Sequence, residues 1–237
     1  MIERLLEIQR LNLASKIGKE STFNSTLPIR IKVLAKKSGM KYLLQVGARE
    51  LETRSLKELK VGGKYFAMMK SGKAGNIILS SLTPEPKLNK TPLKLDLSES
   101  KELLSKNTFK EIGEFASEQL AKSSSKEEFL GWAFVLSGLQ KGVLTLSIQD
   151  EEKEHYTQIK KQKNSLEFYA VFNQLGVLSG KISQAQGLEL EVMYPNVARF
   201  LSENLDLLKW KGEVRITVGS KIEPLFCLQE QLLDLSI

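Results

Sequence analysis

Scarcity narrows the reading of this 237-residue chain before any pattern is sought. It contains one cysteine, Cys227, so no intrachain disulfide framework can form, and one histidine, His155, which excludes a multi-histidine metal site. No apolar run approaches the roughly 18 residues needed to cross a bilayer. The opening "MIERLLEIQR" carries acids where a secretory signal would place a basic end and an apolar block. The expectation is a soluble protein of a reducing, cytoplasmic compartment, with no membrane insertion.

Catalytic signatures are equally scarce. "KSGKAG" fails the phosphate-loop pattern, because Lys73 is followed by Ala74 and Ala67 stands where the first glycine is required. It reads as a hairpin turn. His155 sits in "KEHYTQ", a charged stretch expected to be an exposed excursion, with no nucleophile pattern around it. Cys227 lies in "PLFCLQ" without a neighbouring cation to activate it, so it is expected as a buried or interface thiol. Glu189 and Glu191 fall on the outer face of an expected strand. No catalytic residue, cofactor or metal is expected, and the chain reads as non-enzymatic.

What is present is asymmetric charge and clear periodicity. The net charge is +7, yet residues 27–83 alone carry 12 Lys and Arg against 3 Glu, while 126–237 carry 12 against 15 acids. Clustered charge of one sign concentrates partners of the other. Arg30, Lys32, Lys36, Lys37 and Lys41 are the basic residues expected to face an anion.

Within that basic segment the apolar period is two, the spacing of a strand with one buried face. Ile29, Ile31 and Val33 share a face, as do Tyr42, Leu44 and Val46, then Tyr65, Ala67 and Met69, then Ile77 and Leu79. "RELET" supplies a fifth, shorter strand, and glycine-bearing turns stand between. So few short strands leave edges exposed unless they close, which predicts partial closure into a small barrel of the oligonucleotide-binding or a related type.

Flanking it, residues 1–26 are expected to hold an amphipathic helix over Ile2–Ile17. Residues 84–125 are expected as a Pro-containing linker, "TPEPKLNKTPLKLDLSES", followed by one helix carrying Leu103, Leu104, Phe109, Ile112, Phe115 and Leu120. From 126 to 237 the pattern predicts an α+β domain, with one helix packed on a mostly antiparallel sheet. "EFLGWAFVL" and "GVLTLSIQD" read as a hairpin, and "LEFYAVF", "GVLSGKI" and "LELEVMY" as strands. "NVARFLSENLDLLKWKG" reads as a helix from an Asn196 N-cap to Gly212, and "EVRITVG" as a last strand. "EPLFCLQEQLLDLSI" spaces Leu225, Leu228, Leu232 and Leu235 at helical intervals.

Taken together, "WAFVL" around Trp132, "LEFYAVFNQLGVLSGKI", "LELEVMY", "VARFLSENLDLLKWKG" and "VRITV" resemble the C-terminal domain of bacterial flagellar hook-length control proteins. Leu175 and Gly176 match that family's Leu-Gly, Leu201 and Leu205 its helix, and Gly212 its turn. The basic barrel resembles the small β domain that precedes it in some relatives. The resemblance implies a role in flagellar type III export: contact with the cytoplasmic part of the export-gate switch protein, and with other export components, during the change from hook to filament substrates. Passage of the chain itself through the export apparatus is left open. About 14 linker residues reach only roughly 50 Å when extended, so whether the chain measures hook length or is a short relative lacking the ruler is also left open. The alternatives are a basic nucleic-acid-binding barrel, the weaker reading for want of stacking aromatics, and a flagellar assembly chaperone or scaffold using Ile2–Ile17 and Leu225–Leu235.

Overall fold

A computed structural model describes residues 26–55, 57–71, 77–86, 93–106, 108–150, 153–185, 187–208 and 210–227. The expected helix over Ile2–Ile17, the tip of the "KSGKAG" turn and the tail beyond Cys227 lie outside the described residues. So do six of the residues of the linker "TPEPKLNKTP", 87–92.

Five strands, β1 (Ile29–Lys36), β2 (Lys41–Val46), β3 (Arg49–Arg54), β4 (Lys64–Ser71) and β5 (Ile77–Pro84), form a closed barrel in the order β1-β2-β3-β5-β4. All neighbours are antiparallel except β3 and β5, which close the ring in parallel at Arg54 and Ile78. The expected inward faces meet: Ile31, Val33, Tyr42, Leu44, Ala67, Met69 and Leu79 are buried, with Ile29, Val46, Tyr65 and Ile77 packed against them. Each fully buried branched or aromatic side chain contributes about 1.5–3 kcal/mol of transfer free energy. β4 is buried on both faces, since Phe66 and Met68 are also withdrawn from solvent.

The remaining strands are β6 (Lys94–Asp96), β7 (Val143–Asp150), β8 (Lys153–Lys161), β9 (Ser165–Phe172), β10 (Gly176–Ser183), β11 (Gly187–Val192) and β12 (Val214–Val218). They make a seven-stranded, mostly antiparallel sheet in the order β12-β11-β10-β9-β8-β7-β6, with β6 parallel to β7. The helices are α1 (Leu97–Ser105), α2 (Phe109–Lys122), α3 (Lys126–Gln140) and α4 (Pro195–Glu203), the last followed by a 3-10 turn at Leu205–Leu208. The architecture is α+β. Backbone contacts group the chain into two compact units that alternate along the sequence. One holds the described residues up to Pro86 with Asn173–Gly176 and Val192–Ser220; the other holds Lys87–Phe172, Val177–Glu191 and the described residues from Lys221. In the second unit α1 lies against β6 and β7, α3 against β7, and α2 packs on α3.

Several expectations are corrected. The hairpin expected from "EFLGWAFVL" is absent, because Lys126–Gln140 is helical. Ser125 caps that helix by accepting from the Glu128 N–H, so the helix starts within "SSSKEE". Gly131, Trp132, Phe134, Val135 and Gly138 form its buried stripe, at helical spacing. The single helix expected within residues 84–125 is two, each with its own capping box, Asp96 with Glu99 and Thr108 with Glu111. Lys94–Asp96, read as linker, supplies β6. The charged excursion is β8, and the helix expected from an Asn196 cap begins at Pro195 with Tyr194 in the cap position. Leu225–Cys227 is not helical. No helix among the described residues is long and apolar enough to cross a membrane.

Candidate functional site

The barrel's outer face is built by strand pairing. Lys32 of β1 stands opposite Lys64 of β4, and Lys41 of β2 opposite Arg54 of β3. The Lys37 N–H donates to the Lys41 carbonyl at 2.8 Å, so Lys37 extends the second row. Like charges placed directly opposite are unfavourable, so these pairs leave a field that an anion would relieve. Lys32, Lys37 and Lys41 are exposed.

Arg30 and Lys36 differ from those three. The half-buried Arg30 guanidinium grips Glu85 with both arms, Nε donating to Oε2 at 2.7 Å and a terminal nitrogen donating to Oε1, and its other terminal nitrogen donates to Asn173 Oδ1 at 3.2 Å. Lys36 donates to Glu58 at 2.7 Å. That hydrogen bond, reinforced by the carboxylate charge, raises the Lys36 pKa, and the same contact lowers that of Glu58. Of the five basic residues singled out in the sequence, Lys32, Lys37 and Lys41 therefore stand on the face without such a carboxylate among the described residues.

The barrel aromatics are committed to the fold. Tyr42 is fully buried and its hydroxyl accepts from the Leu59 N–H at 3.2 Å; the Tyr65 hydroxyl accepts from the Lys60 N–H at 3.0 Å; Phe66 is buried. The exposed large apolar side chains of the described barrel residues are Met40, Val61 and Ile78, none of them aromatic.

The six residues singled out as a structural motif are dispersed. Leu175 is buried in the turn from β9 into β10, and Gly176 follows it with φ +71°. A Cβ on Gly176 would stand 3.1 Å from the Tyr194 ring. Tyr194 is buried, and its hydroxyl donates at 3.2 Å to the carbonyl of Ser81, a non-glycine residue at φ +51°. Burial raises the Tyr194 phenol pKa, with Thr83 opposing the shift by a hydrogen bond. Leu201 is buried on α4 beside Val197, and Leu205 is half-buried in the 3-10 turn. Gly212 leaves room for Trp210, whose indole nitrogen a Cβ there would approach to 2.9 Å. Trp132 is buried on α3, edge-on to Phe115 of α2 at 5.8 Å.

His155, expected exposed, is buried in β8 opposite Ile148, its ring 5.4 Å from that of Phe172. Cys227, expected as a buried or interface thiol, is exposed; partial desolvation, then the Glu223 charge, push its thiol above the ordinary range, away from a nucleophile's needs. Glu189 and Glu191 are half-buried, on the opposite face of β11 from Leu188, Leu190 and Val192. Among the described residues no group of three or more His, Cys, Asp or Glu could hold a metal ion.

The sequence reading missed Gln158 of β8, whose side chain is fully buried and holds the backbone of Phe226. Its only signal was position, a polar residue on a strand between Tyr156 and Ile159. No protein-family model, curated protein or solved structure matches the chain.

Proposed function

We propose that the protein is a non-enzymatic binding module of flagellar type III export, of the hook-length-control type, which contacts the export-gate switch protein and biases the change from hook to filament substrates. The observation that carries this reading is consecutive order. β9, a buried leucine and a positive-φ glycine, β10, β11, a helix with buried Val197 and Leu201, a glycine and β12 follow one another over residues 165–218. That is the succession which the resemblance implies, although Trp132 belongs to a helix in place of the strand expected there. The test is a pull-down of the full chain with the cytoplasmic domain of the switch protein, paired with hook lengths in a deletion strain. Retention at micromolar concentration and altered hooks are expected. No retention together with normal hooks would end the reading.

A second reading has its own observation. A five-stranded barrel closed by a parallel β3–β5 contact supports the oligonucleotide-binding type, in which the β2–β3 face and the β1–β2 turn meet nucleic acid. Lys37, Lys41 and Arg54 lie there. Tyr42 and Phe66 are buried and Tyr65 is half-buried with its hydroxyl tied to Lys60, so binding on this face would run chiefly through phosphates and fall steeply with salt. Anisotropy titrations with single-stranded oligonucleotides, native against Lys41→Glu, decide it. Tight, salt-steep binding lost in the variant supports the reading, and equal weak binding removes it.

A further inference from the structure

Within the second unit, the segment from Lys221 to Cys227 has no helix or strand and is held by side chains of other elements. Gln158 makes the principal contact. Its Nε2 donates to the Phe226 carbonyl at 2.6 Å, and its Oε1 accepts from the Phe226 N–H at 3.1 Å. One primary amide thereby satisfies both backbone groups of a single residue, as a neighbouring strand would. Nε2 also lies 3.2 Å from the Tyr156 hydroxyl and 3.4 Å from Thr145 Oγ1, which fix the side chain in place.

Beside this amide is a seat for the ring. Phe226 packs on Phe134 of α3 with centroids 5.5 Å apart, and Gly138, one helical turn on, leaves the space its ring approaches: a Cβ there would sit 3.5 Å from Phe226 Cδ1. Phe226 itself remains half-buried. The seat belongs to α3 and β8, whereas among the described residues its occupant is held by the two hydrogen bonds from Gln158 and the ring contact with Phe134. Gln158 is wholly buried, so an emptied seat would leave its amide without its two best partners, and such a loss is refilled by whatever presents an N–H and a C=O at that spacing.

We propose that Gln158, Phe134 and Gly138 form a recognition site for an extended peptide segment bearing an aromatic side chain, contributed by a partner protein, and that Phe226 is its resident, displaceable occupant. The mode is backbone reading with one aromatic anchor, a short form of strand addition. It does not rest on the flagellar reading and would hold for any partner carrying such a segment. A tethered occupant competes at high effective concentration, so the site binds weakly in the native chain and more tightly once Phe226 is removed.

The test uses a fluorescent peptide with the sequence of residues 221–227, carrying Cys227→Ser, and its Phe226→Ala counterpart. The full-length Phe226→Ala chain is expected to bind the phenylalanine peptide at least tenfold more tightly than the alanine peptide, and more tightly than the native chain does. Adding Gln158→Leu should abolish that preference. A folded Phe226→Ala chain that binds neither peptide at millimolar concentration, or both equally, overturns the proposal. Self-association of the Phe226→Ala chain, reversed by the phenylalanine peptide, would assign the seat to a second copy and also overturn it. Hydrogen exchange on the native chain gives a readout that needs no variant. The Phe226 amide is expected to exchange at least 100-fold faster than the amides of Tyr156 to Ile159, and equal rates would show an occupant that never leaves.

Discussion

Replacing Gly176 separates two costs that usually arrive together. At φ +71° any L side chain sits in the left-handed region, which costs about 1–2 kcal/mol, partly offset because the unfolded chain loses glycine's freedom. Gly47 provides the control. It leads the two-residue turn between Val46 and Arg49 at φ +59°, and a Cβ there would meet nothing within 4 Å. Gly47→Ala should therefore cost about 1 kcal/mol, the backbone share alone. Gly176→Ala adds a Cβ 3.1 Å from the buried Tyr194 ring, a crowded contact worth about 1 kcal/mol more, for about 2 in all. Gly176→Val, β-branched at a positive φ, should cost about 3–4 kcal/mol, a large share of a typical domain's 5–15. The assay is urea unfolding followed by Trp210 fluorescence in a Trp132→Phe background, because Trp210 lies in the same unit as Gly176 and two units need not unfold together. Equal destabilisation by the two alanine variants would refute the argument, since it would mean the Tyr194 ring yields freely.

Other expectations follow from contacts described above. Arg30→Ala should destabilise by about 2 kcal/mol, because it leaves the mostly buried Glu85 carboxylate unpaired, and Arg30→Lys should recover little, since an ammonium cannot span both carboxylate oxygens; urea midpoints measure both. Thr108→Ala removes the α2 cap and should cost about 1 kcal/mol, visible as a lowered thermal midpoint. Burial raises the phenol pKa of Tyr194 and Tyr156, so the folded state keeps protons that the unfolded state releases above about pH 10. Stability should thus hold below that pH and fall as it rises beyond. Tyr194→Phe should shallow the decline in urea midpoints between pH 8 and 11; an unchanged slope would refute the linkage.

The barrel was the most legible part of the sequence, for a physical reason. Its strands other than β4 bury chiefly one face, so period two survives in the residues, and Ile31, Val33, Tyr42 and Leu44 announce their side. β8 hid because it is buried on both faces by polar residues. His155, Thr157 and Gln158 read as a solvated excursion, yet each is withdrawn from water. Thr157, for instance, donates to the Tyr169 carbonyl at 3.3 Å. α3 hid for the opposite reason, since its continuous apolar run erases periodicity and only the Ser125 cap distinguishes helix from strand. Of the candidate surfaces, the cation rows were legible as charge. Their division was not, because the carboxylates of Glu58 and Glu85 reach Lys36 and Arg30 only through the fold. The Phe226 seat joins residues 68 positions apart and leaves no local trace.

The alternation of the two units along the chain bears on inheritance and on synthesis. The barrel's unit is completed by Asn173, which receives a hydrogen bond from Arg30, and by Tyr194, which donates one to Ser81, both more than a hundred residues after the barrel strands they serve. No single cut in the gene separates one unit from the other, so neither half can be transplanted by recombination as a cassette. A nascent chain, likewise, finishes its first unit only after most of its second has left the ribosome.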